Sequence, residues 1–139
     1  MQTGRILKTA LAVGVIANIY DYATNTFLFP NMGLQPAFLE DMATMPIQWL
    51  VICDFVAALV LVWFFDKVRV AFGPGAKGGA EYGLSAGILM NFPLWITMSL
   101  VIKDFSYVDG WFWVLFGVLW TVIMGTVAGF VYDKTGAKA

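Results

Sequence analysis

Apolar residues are gathered into four long stretches with short polar or glycine-rich segments between them. The first runs from Ile6 to Tyr22 and, with polar interruptions, a few residues further; the second from Ile47 to Phe65 with the single acid Asp54. The third spans Tyr82 to Ile102, and the fourth, Trp111 to Tyr132, carries no charge. Each is close to the ~20 residues that a helix needs to cross a ~30 Å hydrocarbon core. Membrane β-barrels would instead show alternating segments of about ten residues. The pattern predicts an all-α membrane protein, a bundle of four transmembrane helices at about 6–26, 47–66, 81–102 and 110–132, forming one membrane domain over residues 1–139.

Composition agrees. Sixty per cent of the residues are hydrophobic and 12% charged, against about 25% charged in a soluble domain. Arg5 and Lys8 precede the first stretch, Lys67, Arg69 and Lys77 follow the second, and Lys134 and Lys138 follow the fourth; Lys103 alone lies on the opposite side. The positive-inside rule then puts both termini in the cytoplasm, and the acids Glu40 and Asp41 of the first outer loop agree. Arg5 and Lys8 followed by Val15-Ile16-Ala17 imitate a cleavable signal peptide, but the first stretch has a counterpart later in the chain and is expected to be retained.

That counterpart is part of an internal repeat. Trp63-Phe64-Phe65-Asp66-Lys67 matches Phe130-Val131-Tyr132-Asp133-Lys134, and Gly14-Val15-Ile16-Ala17-Asn18 matches Gly87-Ile88-Leu89-Met90-Asn91. The chain thus reads as two helical hairpins, both starting inside, a parallel repeat about an axis along the membrane normal. Gly73-Pro74-Gly75-Ala76-Lys77-Gly78-Gly79 reads as a flexible inner connector. The outer segment Thr26–Pro46, with Phe27, Phe29, Phe38, Leu39 and three prolines, is too apolar for a solvated loop and is expected to lie in the interface.

The run Glu81-Tyr82-Gly83-Leu84-Ser85-Ala86-Gly87-Ile88-Leu89-Met90-Asn91-Phe92-Pro93, followed by a glycine-spaced last helix, resembles small uncharacterised four-helix bacterial membrane proteins over the second half of the chain. The resemblance implies the bacterial inner membrane and brings no activity with it. The first helix departs from that group by its polarity.

Several chemistries are excluded by residue counts. Net charge is −1, so there is no basic surface for nucleic acid; with no histidine, His-ligated metals, His-ligated haem and Ser-His-Asp catalysis are out. Cys53 is the one cysteine, too few for an intrachain disulfide or a thiolate cluster. No cofactor signature is present, and no cofactor or metal is expected.

What remains is a small set of polar residues inside apolar helices. Gly14, Asn18, Asp21 and Asn25 are spaced 4, 3, 4 and share one face of the first helix. Asp21 lies about 24 Å along that helix from Arg5, and Asp54 about 10 Å inward from Ile47, so two acids fall in the outer part of the membrane at similar depth. Such a pair can share a proton or hold a cation. The plainer alternative satisfies them at the interface, Asp54 through Asn18, Asn25 or Lys103. Tyr20-Asp21 also resembles a motif of intramembrane aspartyl proteases, but their Gly-x-Gly-Asp is missing, Asp54 sitting in Ile52-Cys53-Asp54-Phe55.

Gly83-x-x-x-Gly87 and Gly125-x-x-x-Gly129 are helix-packing motifs, extended by Asn91, serving either the bundle itself or a partner subunit. Pro93 is placed to kink the third helix. Trp49, Phe105, Tyr107, Trp111, Phe112 and Trp113 suit an outer aromatic belt, and Trp63, Phe64, Phe65 and Tyr132 an inner one; Trp95 and Trp120 lie deeper. The expected function is a non-enzymatic membrane subunit packing, besides lipid, against other membrane proteins or itself. The alternative is a small proton- or cation-coupled transporter using the acids of the first hairpin. A third is binding of a lipid, quinone or carotenoid by Trp95 and Trp120.

Overall fold

A computed structural model describes residues 2–32, 47–103 and 105–136. The described residues form helices and turns and contain no strand. Helix α1 covers Gln2–Ala23, widens into a π turn over Thr24–Leu28 and continues as the short α2, Phe29–Met32. Helices α3 (Ile47–Phe72), α4 (Gly75–Val101) and α5 (Tyr107–Gly136) follow. Four helical spans, Gln2–Leu28 and the three long helices, are long and apolar enough to cross a membrane.

The helices outrun their expected ends, mostly at the basic end of the bundle. α3 continues to Phe72, six residues past its expected end at 66, because Lys67 and Arg69 find partners there. α4 begins at Gly75, so most of the segment expected to be a flexible connector is helix; the turn is confined to Gly73 and Pro74. Gly73 and Gly75 take φ of 82° and 73°, which glycine reaches without steric cost. Gly78 and Gly79 are buried, and an ordinary side chain there would strike the Gly73 carbonyl and the α5 backbone. Packing has overridden glycine's poor helix propensity. At the other end, Thr26–Met32 of the expected interfacial loop is helical; the rest of it, with Phe38, Leu39, Glu40 and Asp41, lies outside the described residues, as does Lys138.

α4 and α5 form the closest pair. Gly79, Gly83 and Gly87 on α4 recur every fourth residue; Gly79 and Gly83 lie backbone to backbone against Thr121, Gly125 and Gly129 of α5, Gly87 meets Thr121 and the Val118 backbone, and Gly117 of α5 receives the Asn91 side chain. The expected helix-packing residues Gly83, Gly87, Gly125 and Gly129 thus build the chain's own interior, extended by Gly79 and Gly117, which the two short motifs omitted. α1 packs on both α3 and α5, whereas α3 meets α4 mainly near the basic end, where Tyr82 Oη donates to the Leu61 carbonyl (2.9 Å). The core is Val13, Ala17, Ala58, Val62, Phe65, Met124, Ala128 and Tyr132. Phe65 and Tyr132 are each 1% exposed, so these two belong to an aromatic core with Phe72 and Tyr82 and not to a belt. Trp63 and Phe64 are half exposed, as a belt requires. α4 passes through Pro93 without a break in its helical span.

Candidate functional site

The polar residues of the first helix divide into two groups with different roles. Asn18 Nδ2 donates to the Gly14 carbonyl (2.8 Å), one turn back in its own helix. Asn25 Nδ2 donates to the Asp21 carbonyl (2.7 Å), and Thr24 Oγ1 to the carbonyls of Tyr20 (2.9 Å) and Asp21 (3.2 Å). These two side chains supply donors where the π turn shifts the backbone register, since a π turn replaces i→i−4 bonds by i→i−5 ones. Asn25 is therefore a backbone cap. Asn91 mirrors Asn18 on α4: its Nδ2 donates to the Gly87 carbonyl (3.0 Å), and its carboxamide lies against Gly117 of α5.

Asp21 and Asp54 form the second group. Their carboxyl groups face each other across the α1–α3 contact, with the Trp120 indole of α5 beside the Asp21 carboxyl. Both acids are half-buried. Asn18, Asn25 and Asn91 turn to their own helices instead. Of the five candidates, the structure brings Asp21 and Asp54 together and adds Trp120, whose partner could not be read from a single helix. The Tyr20 hydroxyl, next in sequence to Asp21, is buried and has no hydrogen-bond partner among the described residues. Two ionised carboxylates in contact would repel strongly in these apolar surroundings; one proton between them removes the repulsion and makes the hydrogen bond.

Aromatic side chains pack together at the end of the bundle away from the basic residues. Phe29 is 4% exposed and packs on Phe112, Trp113 and Phe116 of α5, with ring centroids 4.9–6.1 Å apart. Trp95 stacks on both Phe105 and Trp113, and Phe105 is buried, so these rings have interior partners as well as a place near the expected belt.

A second polar centre lies at the basic end, where the two Asp-Lys endings meet. The Asp66 side chain is 2% exposed; it accepts from Tyr132 Oη and from Gln2 Nε2 (3.0 and 3.2 Å), with Lys67 Nζ at 3.7 Å. Asp133 accepts from Arg5 Nη2 of α1 (3.3 Å), Arg69 Nη2 of α3 (2.9 Å) and the Gly75 N–H that opens α4 (2.5 Å). One carboxylate on α5 thus ties three other helices and satisfies a free N–H at a helix start, where negative charge is favoured. Arg5 and Arg69 also stack on the Tyr132 ring, at 3.8 and 4.9 Å from its centroid. The sequence signal for this centre is the recurring Asp-Lys ending; a repeat alone does not show that the two endings are joined through Tyr132, which donates to Asp66 and carries Arg5 and Arg69, the partners of Asp133, on its ring.

No family model, curated protein or solved structure matches the chain.

Proposed function

We propose that the chain is a non-enzymatic integral membrane protein whose working centre is the Asp21–Asp54 pair, serving proton- or cation-coupled transport. The four apolar spans support membrane insertion. The distribution of Lys and Arg supports an orientation with both termini cytoplasmic; a bacterial inner membrane rests on the resemblance of the second half alone. Two hairpins in parallel repeat fit the matching environments of Gly14–Asn18 and Gly87–Asn91.

The observation that carries the functional reading is that the two half-buried acids face each other across the α1–α3 contact. A subunit that used its polar stripe to recognise a partner would turn those groups outward. Intramembrane acids facing a bundle interior mark ion and proton sites. The repeat register puts Leu94 and Thr121 where the first hairpin has Asp21 and Asp54, so the centre belongs to one hairpin.

Reconstitution tests this. Liposomes containing the protein and an imposed pH or cation gradient should lose the gradient faster than empty liposomes. Asp21→Asn and Asp54→Asn should each return the rate to background. Rates unchanged by both substitutions would refute the proposal.

The accessory-subunit reading keeps one supporting observation. The outer two turns of α3, from Ile47 to Ile52, are exposed along every face, including the continuation of the core-facing stripe of Leu61, Ala58 and Asp54. Co-purification of a stoichiometric membrane protein in mild detergent would favour it. Binding of a quinone or carotenoid draws little support: Trp95 is stacked on both Phe105 and Trp113, and Trp120 packs against the core.

A further inference from the structure

At the basic end a cavity of about 790 Å³ opens between α1, α3 and α5, walled by Gln2, Arg5 and Lys8, by Arg69, and by Tyr132 and Thr135. Its charges are not balanced. Arg5 and Arg69 both bond the same oxygen of Asp133, at 3.3 and 2.9 Å, so one carboxylate answers two guanidinium groups. Asp66 in the wall is already engaged by Tyr132, Gln2 and Lys67. Lys8 is exposed and makes no ion pair among the described residues. A purely structural ion network would match its charges, whereas among the described residues this one leaves two positive charges facing an open cavity. Both guanidinium groups are held in place, by the Tyr132 ring and, for Arg5, by a 2.5 Å bond from Nε to the Tyr132 carbonyl. Fixed guanidinium forks with free N–H donors suit phosphate oxygens better than any other common anion. Basic pockets between membrane helices at the cytoplasmic side take anionic lipid headgroups in this way.

We propose that this cavity binds a phosphate group through Arg5, Lys8 and Arg69, the source being either an anionic phospholipid of the adjoining leaflet or a free phosphate. The lipid source rests on the bilayer reading above. Failure of ion flux through the acid pair would leave this site untouched, because the two lie at opposite parts of α1.

The test uses the full chain, delipidated in detergent, with phosphatidylglycerol, phosphatidylcholine and inorganic phosphate as probes, read by native mass spectrometry and by titration. Phosphatidylglycerol should be retained in preference to phosphatidylcholine. Lys8→Gln should weaken that binding about fivefold, the effect of one lysine near an anionic surface. Lys77→Gln, at an exposed lysine outside the cavity, should leave it unchanged. Lys8 has no ion-pair partner among the described residues, so the unfolding transition of the variant should stay at the wild-type position and loss of binding reads as loss of the site. Displacement of the lipid by inorganic phosphate supports phosphate as such; retention against inorganic phosphate supports the lipid headgroup. The proposal is overturned if neither phosphatidylglycerol nor inorganic phosphate binds in preference to phosphatidylcholine, or if Lys8→Gln and Lys77→Gln weaken binding equally.

Discussion

Gly83→Ala is expected to destabilise the protein by pushing α4 off α5. An alanine Cβ there would strike the Thr121 carbonyl oxygen first and would lie 2.8 Å from Val122 Cα and 2.9 Å from the Thr121 carbonyl carbon, where ordinary contact begins at 3.4 Å. The obstructing atoms are backbone, so no side chain can swing away and the helices must part by roughly half an ångström or more. A gap of that size forfeits a quarter to a half of the dispersion energy of each contact it opens. Overpacking of this kind costs about 1–3 kcal/mol. Alanine returns about 1 kcal/mol of helix propensity, so the expected net loss is about 0–2 kcal/mol against the wild type and about 1–3 kcal/mol against a helical glycine-to-alanine control that meets no clash. Gly4→Ala is the control: nothing lies within 4 Å of its Cβ position, so that variant should be neutral or slightly stabilised. Gly125 faces the same contact, its Cβ position 2.9 Å from Gly83 Cα. The double variant should therefore lose less than the sum of the singles, by 0.5 kcal/mol or more on the scale of neighbouring sites. Reversible unfolding in detergent, followed by circular dichroism, measures all four. Equal stability of Gly83→Ala and Gly4→Ala would refute the backbone-contact argument.

Asp66→Ala leaves the Tyr132 hydroxyl and the Gln2 amide without their acceptor and should cost about 2–3 kcal/mol in the same unfolding assay, the range for hydrogen bonds to a charged group. Phe29→Ala removes a 4% exposed ring from three aromatic neighbours and should cost about 3 kcal/mol, with faster hydrogen exchange of the Thr24–Leu28 amides. Asn25→Ala removes only a cap on the π turn; it should cost about 0.5–1.5 kcal/mol and leave ion flux at the wild-type rate, which separates it from Asp21→Asn.

The helix count and the shared depth of Asp21 and Asp54 were legible because both follow from length and a 1.5 Å rise. What faces what was not. Helices apolar on all sides carry little directional signal, so Phe65 and Tyr132 read as belt residues although they are core, and Trp120 could not be assigned to Asp21. The start of α4 was missed because a glycine run reads as a loop unless a second glycine-spaced helix is there to receive it. Asn25 lay on the right face for a shared polar site, but the π turn that gives it work at a carbonyl has no spacing signature. Asp66 and Asp133 were visible as repeated endings, and only the bundle's closure shows that they are joined through Tyr132.

The shared proton is tested most directly by infrared absorption of the reconstituted protein at neutral pH. A hydrogen-bonded Asp21–Asp54 pair predicts the carbonyl stretch of a neutral carboxylic acid in the wild type, absent from Asp21→Asn and from Asp54→Asn. A wild-type spectrum without that band, or a band surviving both substitutions, would contradict a proton-sharing pair as the centre of this protein's function.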